Sequence, residues 1–253
     1  MDFKTYLEQI REDIISRTGK TPDELYEERE KRVRDAIQLK EPDKVPVRLN
    51  MVYFQANYAG VPKSAAYYDA ETWKRAIVKT TVDFEPDVYR ANTGSNSGLA
   101  LGILDPRHER WPGGALPDDV AHQAIEQEYM KESEYALFLS DPTDYTLRYL
   151  LPRAFGALEP LSKMPSIADK FMGFMGLTPF FASAEFKQVT KALAEAGEEV
   201  MKWRKLRGNL EEDMASLGFP PLDHGSGAGG APFDLISDRY RGMRGAMTDM
   251  RPS

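Results

Sequence analysis

The run from residue 45 to residue 92 reads as strand, helix, strand, and no other stretch of the 253 residues narrows the choice of fold as much. Val45-Pro46-Val47-Arg48-Leu49-Asn50-Met51 is short and β-leaning, with its proline near the start, where a missing N–H is tolerated. Asp69 then stands where a helix N-cap belongs, ahead of Trp73, Ile77, Thr80 and Phe84, which recur at helical spacing and predict a buried face. Glu85-Pro86-Asp87 turns the chain into a second strand, Val88-Tyr89-Arg90-Ala91-Asn92. A helix between two strands joins them in parallel through a right-handed crossover, whereas antiparallel neighbours need only a hairpin. The fold class that follows is α/β, built on a parallel sheet.

The stretch 217–245 predicts a third unit of the same kind. Apolar residues lead into Asp223 and His224, a loop holds Gly225, Gly227, Gly229 and Gly230, and Pro232 opens a helix expected to bury Phe233, Ile236, Tyr240, Met243 and Met247. Parallel α/β folds keep ligands at the C-terminal ends of their strands. Asp223 and His224 are therefore the candidate catalytic pair, since an imidazole exchanges its proton near neutral pH. Gly225 and Gly227 let backbone approach a ligand, although glycines there also serve a plain chain reversal. Their order misses the dinucleotide spacing G-x-G-x-x-G by one position, so no nicotinamide site is read here. By the same placement Arg48, Asn50, Tyr53, Arg90 and Asn92 are candidate substrate-binding residues, with Gln55 and Asn57 further polar groups after the first strand.

The remaining segments are mainly helical. Phe3, Leu7, Ile10 and Ile14 predict a first helix stopped by Gly19, an arm covering residues 1–20. Thr21-Pro22-Asp23-Glu24 combines an N-cap, a proline at the first helical position and a capping-box glutamate. The helix it starts is expected to run to about Lys40, with Leu25, Val33, Ala36 and Ile37 inward and its Glu, Lys and Arg residues in solvent. Residues 105–119, with His108 and Trp111, form a long irregular stretch, and Asp141-Pro142-Thr143-Asp144 starts a helix reaching about Leu151. The apolar run 171–182 is expected to be buried or at an interface. Ser183 caps the longest helix, whose stripe of Phe186, Val189, Leu193, Ala196, Val200 and Trp203 predicts a core face or a dimer seam.

Composition removes several functions. A net charge of −7 with interleaved bases gives no nucleic-acid footprint. The absence of cysteine excludes disulfides, thiolate zinc sites and cysteine nucleophiles within this chain, and His108 and His122 form no metal spacing with His224. No metal or cofactor site is expected from these residues. The run 171–182 is too short to span a bilayer, and a cytoplasmic protein without membrane or nucleic-acid partners is the expectation.

Three groups of residues together resemble the uroporphyrinogen decarboxylase superfamily, which also holds corrinoid and coenzyme M methyltransferases. One is Glu30-Lys31-Arg32-Val33-Arg34-Asp35-Ala36-Ile37 followed by Lys40-Glu41-Pro42-Asp43-Lys44-Val45-Pro46-Val47. Another is Trp111-Pro112-Gly113-Gly114 with Leu116-Pro117-Asp118-Asp119, Glu128-Tyr129-Met130-Lys131 and Asp141-Pro142-Thr143-Asp144. The last is Gly230-Ala231-Pro232-Phe233-Asp234 with Arg241-Gly242. The resemblance implies a (β/α)8 TIM barrel. Only three core strands are evident, near Val45, Val88 and Phe219, so residues 21–253 are expected to be the N-terminal portion of such a barrel, with a helical and irregular insertion at about 103–215. Strand edges left open by an incomplete barrel predict a homo-oligomer.

For function the resemblance implies methyl transfer involving a small methylated compound or a corrinoid-bound methyl group, or alternatively decarboxylation of a tetrapyrrole. Decarboxylases of the family carry an arginine-rich motif after the first strand and an aspartate after the second, and neither is present in Leu49-Asn50-Met51-Val52-Tyr53-Phe54-Gln55 or Ala91-Asn92-Thr93-Gly94. With Arg48 and Arg90 alone, a substrate bearing many carboxylates lacks partners, which favours methyl transfer. The expected partner is a small molecule or a tetrapyrrole or corrinoid ligand. Zinc or a corrinoid would belong to a full-length relative, and a truncated, inactive, self-associating chain is the third expectation.

Overall fold

The computed structural model describes residues 1–91, 96–221 and 232–251. In order, the elements are α1 Phe3–Thr18, α2 Pro22–Ile37, β1 Arg48–Met51, α3 Phe54–Ala59, α4 Ala65–Tyr68, α5 Ala70–Phe84, β2 Val88–Ala91, α6 Gly98–Leu104, β3 Glu109–Arg110, β4 Gln123–Ala124, α7 Tyr135–Ser140, α8 Pro142–Tyr145, α9 Leu151–Ala154, α10 Thr178–Ala182, α11 Ala184–Arg207, α12 Leu210–Ala215, α13 Pro232–Leu235 and α14 Gly242–Asp249. Two compact units share them. The first holds residues 1–96 and 202–226, the second residues 97–201 and 227–253.

In the first unit, β1 and β2 pair in parallel with Arg48 opposite Val88 and Asn50 opposite Arg90. The strand is shorter than the 45–51 expected, because Val45 and Val47 stay exposed. A third segment lies on the other side of β2, where Tyr89 bridges Pro221 in parallel and its N–H donates to the Pro220 carbonyl at 3.4 Å. Three parallel segments thus stand side by side in chain order, and the protein is a mainly helical α/β mixture in which no closed barrel is found among the described residues.

The helices begin and end where local chemistry directs. Thr21 and Glu24 close the capping box of α2, Asp69 accepts from Thr72 N–H at the start of α5, and Gly19 ends α1 in the left-handed region. The face that α2 buries differs from the periodic reading. Leu25 is buried, but Ile37 is 76% exposed, and the inward positions beside Leu25 belong to Arg29 and Arg32. Arg32 donates through Nε and Nη2 to Asp43 at 2.6 Å each and through Nη1 to Asp87, whose other oxygen accepts the Val47 N–H at 2.6 Å. Arg29 donates to the Gly218 carbonyl and stacks 4.0 Å over the Phe219 ring. Gly218 has φ +87, and a Cβ there would stand 2.9 Å from both the Leu25 Cβ and the Pro22 carbonyl oxygen, so only glycine fits. The arginines are inward because each has a buried acceptor to meet; Ile37 is outward because α2 ends before a core covers it.

The second unit rests on a small core of Leu158, Leu161 and Val189, with Leu104, Leu147, Leu151, Phe155 and Phe186 against it. The helix predicted from Asp141 exists but is interrupted by a π-helical turn, Thr146–Leu150. A bidentate pair anchors it: Arg153 donates to both Glu134 oxygens at 2.7 and 2.8 Å, and Tyr145 adds a hydrogen bond at 2.8 Å. Arg153 holds the Glu134 carboxyl down to about 2, helped by the Lys131 N–H and Tyr145 and opposed by burial. Another π turn, Ile236–Arg241, shifts the buried face away from the one expected. Ser237, Arg241 and Ala246 face inward while Met243 and Met247 are exposed. Gly242, at φ +69, follows the turn beside the Gln127 carbonyl, and Arg241 donates to Asp249, Glu128 and the Met130 carbonyl.

Other apolar expectations fail singly. Phe84 is 48% exposed, stacked edge-on with Phe54 and Tyr58. Along α11 only Val189, Ala196 and Trp203 of the predicted stripe are fully buried, seven residues apart, while Leu193 is 46% exposed. In the apolar run, Leu177 is buried but Phe174 and Met175 are exposed. Among the described residues no helix is long and apolar enough to cross a membrane.

Arg32→Met should cost about 3–5 kcal/mol in urea unfolding, because it leaves Asp87 buried without its cation; a loss under about 1 kcal/mol would show the pair to be dispensable. Glu134→Gln should cost about 1.5–3 kcal/mol at pH 7. Its carboxyl titrates well below the ordinary 4.5, so the wild type keeps this stabilisation above pH 4.5 and loses it as pH falls towards about 2. The variant's stability–pH curve should therefore be flatter across that window, and parallel curves would disprove the role.

Candidate functional site

The C-terminal half of β2 borders a cleft of about 380 Å³ lying wholly within the first unit. Its walls are Tyr89, Arg90 and Ala91 from the strand, Pro221 beside it, and residues 204 and 207–211 from the end of α11 and the start of α12. The volume is at the lower end of those that hold small ligands.

Strand alternation decides what β2 offers. Tyr89 is 3% exposed, and Glu211, Tyr26 and Asp213 are the charged or titratable groups that act on it, so its ring lies on the helix-covered face. Burial pushes its phenol pKa well up, and the hydroxyl has no hydrogen-bond partner among the described residues. Arg90, the next residue, points the other way and is exposed, in register with the exposed Asn50 of β1. Arg48, two residues before Asn50, lies on that same face at the strand's start.

The opposite wall follows from how α11 ends. Its last turn carries Arg204, Lys205 and Arg207, where cations suit the helix dipole. Gly208 stops the helix at φ +59, its N–H donating to the Arg204 carbonyl, and Asn209 then caps α12. Arg204 and Arg207 are three residues apart and share a face, so both line the cleft with Arg90. Burial alone lowers the Arg207 pKa from its ordinary value; no neighbouring carboxylate counters it. Glu211 is the one carboxylate among the described lining residues, and it ion-pairs with none of the three arginines.

The candidates read from the sequence are thus partly assembled. Arg90 and Asn50 share the open face of the sheet. Tyr53 does not join them: it is buried, with its hydroxyl 2.9 Å from that of Tyr67 and its ring edge-on to Trp73, which makes it a packing residue. Gln55 is fully buried, its amide donating to the Val52 carbonyl. Asn92, Asp223, His224, Gly225 and Gly227 lie outside the described residues. Arg204 and Arg207 were missed in the sequence because a basic last turn is ordinary helix chemistry; the glycine immediately after them was the available signal.

His108, in the irregular stretch, is buried in the second unit. Its Nδ1 lies 3.3 Å from the Ala154 carbonyl oxygen, Phe155 stands edge-on to it, and burial lowers its pKa. Among the described residues no group of three or more His, Asp or Glu side chains is placed to hold a metal, and the chain has no cysteine. The donors of a thiolate zinc site are therefore not in these residues. Comparison with protein-family models, with curated proteins and with solved structures finds no match to the chain.

Tyr89→Phe removes a buried hydroxyl that has no partner among the described residues, so unfolding stability should stay level or rise by up to about 1 kcal/mol. A clear drop in melting temperature would reveal a hydrogen bond at that hydroxyl.

Proposed function

We propose that the chain forms the first three strand–helix units of a (β/α)8-type enzyme of the uroporphyrinogen decarboxylase superfamily, acting in methyl transfer on a small compound. The observation that carries this reading is the parallel, chain-ordered adjacency of β1, β2 and the segment at Pro221, with a cleft at the C-terminal half of the middle strand. That is where barrel enzymes bind substrate. Moving a methyl group to a nucleophilic acceptor leaves the bonding electron pair on the donor's heteroatom. A guanidinium on the open face, Arg90, is placed to stabilise charge developing there, and the Asn50 amide beside it can orient a polar substituent. A corrinoid enters this reading only as a co-substrate that accepts or supplies the methyl group.

Decarboxylation of a tetrapyrrole is the second reading, and Arg204 and Arg207 favour it by adding cationic donors that the strand ends lack. The cleft's size favours the small compound. Incubating the protein with reduced cobalamin and methyl thioethers or methoxyarenes should form methylcobalamin, seen by its absorption, with at least about a tenfold loss in Arg90→Gln. Uroporphyrinogen consumption with carbon dioxide release would instead establish the decarboxylase. Neither activity would overturn both.

A further inference from the structure

We infer that Arg90, Arg204 and Arg207 form a binding site for a small ligand carrying at least two negative charges on carboxylate or phosphate oxygens. The inference rests on the reading of this cleft as a ligand site, and not on methyl transfer. Three arginines line one cleft of about 380 Å³ in a chain whose net charge is −7. Such a concentration of like charge runs against the overall sign of the molecule.

Elsewhere the fold treats its enclosed arginines differently. Arg32 has Asp43 and Asp87, Arg153 has Glu134, and Arg241 has Glu128 and Asp249. Arg29, without a carboxylate in contact, still has the Gly218 carbonyl and the Phe219 ring. Arg207 is half-buried with none of these among the described residues, and its pKa is lowered by burial alone. Arg90 and Arg204 likewise have no ion pair there. A guanidinium removed from water gains most from a forked contact to two oxygens of one anion, and carboxylate and phosphate both present that geometry. A ligand with two charges satisfies more than one of the three at once.

Isothermal titration at constant ionic strength tests this with inorganic phosphate and citrate as probes and sodium chloride as the control. Saturable binding of at least one probe is expected, with none for chloride. Citrate alone would assign a carboxylate ligand, and phosphate alone a phosphorylated one. Arg204→Gln and Arg207→Gln should each weaken binding about tenfold to a hundredfold, and Arg207→Lys less, because it keeps the charge and loses the fork. The probe-free melting temperature of Arg207→Gln should hold or rise, since an uncompensated charge is removed; a structural arginine would lower it. Absence of saturable binding by both probes, or unchanged binding in both Gln variants, overturns the inference. Binding without methyl transfer would leave it standing and reject only the methyl-transfer reading.

Discussion

Arg32 sits beneath the start of the parallel sheet, and the first unit depends on what it holds. Its guanidinium reaches Asp87, just before β2, and Asp43, just before β1, while Asp87 also accepts the Val47 N–H. Three contacts thus tie α2 to the leading ends of both strands, and the Val47–Asp87 bond ties those ends to each other. One turn earlier in the helix, Arg29 does the same for the third segment through the Gly218 carbonyl and the Phe219 ring. Two arginines on one helix face therefore gather three parallel segments. A hydrophobic face could pack against the same strands, but it would not specify their register, because apolar contact is non-directional and a guanidinium fork is not.

This arrangement decides where the sheet is open. With α2 and α12 covering the Tyr89 side, the alternate residues Asn50 and Arg90 emerge on the other, and the parallel pairing places them opposite each other. The end of α11 closes the cleft from the side because Gly208 turns the chain immediately after Arg207. Strength at the N-terminal ends of the strands and openness at their C-terminal halves are complementary results of one packing. That division of labour is the general property of parallel α/β folds that separates stability from ligand binding.

Electrostatics separates the arginines of this chain into two sets. Arg32, Arg153 and Arg241 are each satisfied by carboxylates, the last two by a carbonyl as well, with hydrogen bonding holding the Glu134, Asp43 and Asp249 carboxyls below their ordinary range. Arg90, Arg204 and Arg207 line one cleft instead. The two sets cannot be told apart by residue type, since Arg204 and Arg207 occupy an ordinary basic last turn and Arg29 and Arg32 an ordinary charged helix.

What the sequence determined by itself is local or nearly so. The capping box at Thr21 and Glu24, the stop at Gly19, the cap at Asp69 and the strand–helix–strand order that makes β1 and β2 parallel all rest on contacts within a few residues or on chain connectivity. The placement of Arg90 at a strand's C-terminal half was legible for the same reason. Tertiary structure decided the rest: that α2 turns Arg29 and Arg32 inward and Ile37 outward, that π turns shift the faces after Tyr145 and Leu235, that Tyr53 packs on Trp73, and that Arg204 and Arg207 meet Arg90. Each of these depends on a partner far along the chain. Periodicity records how apolar a face is, but whether a charged side chain is buried depends on the acceptor waiting for it, and only the folded chain supplies that acceptor.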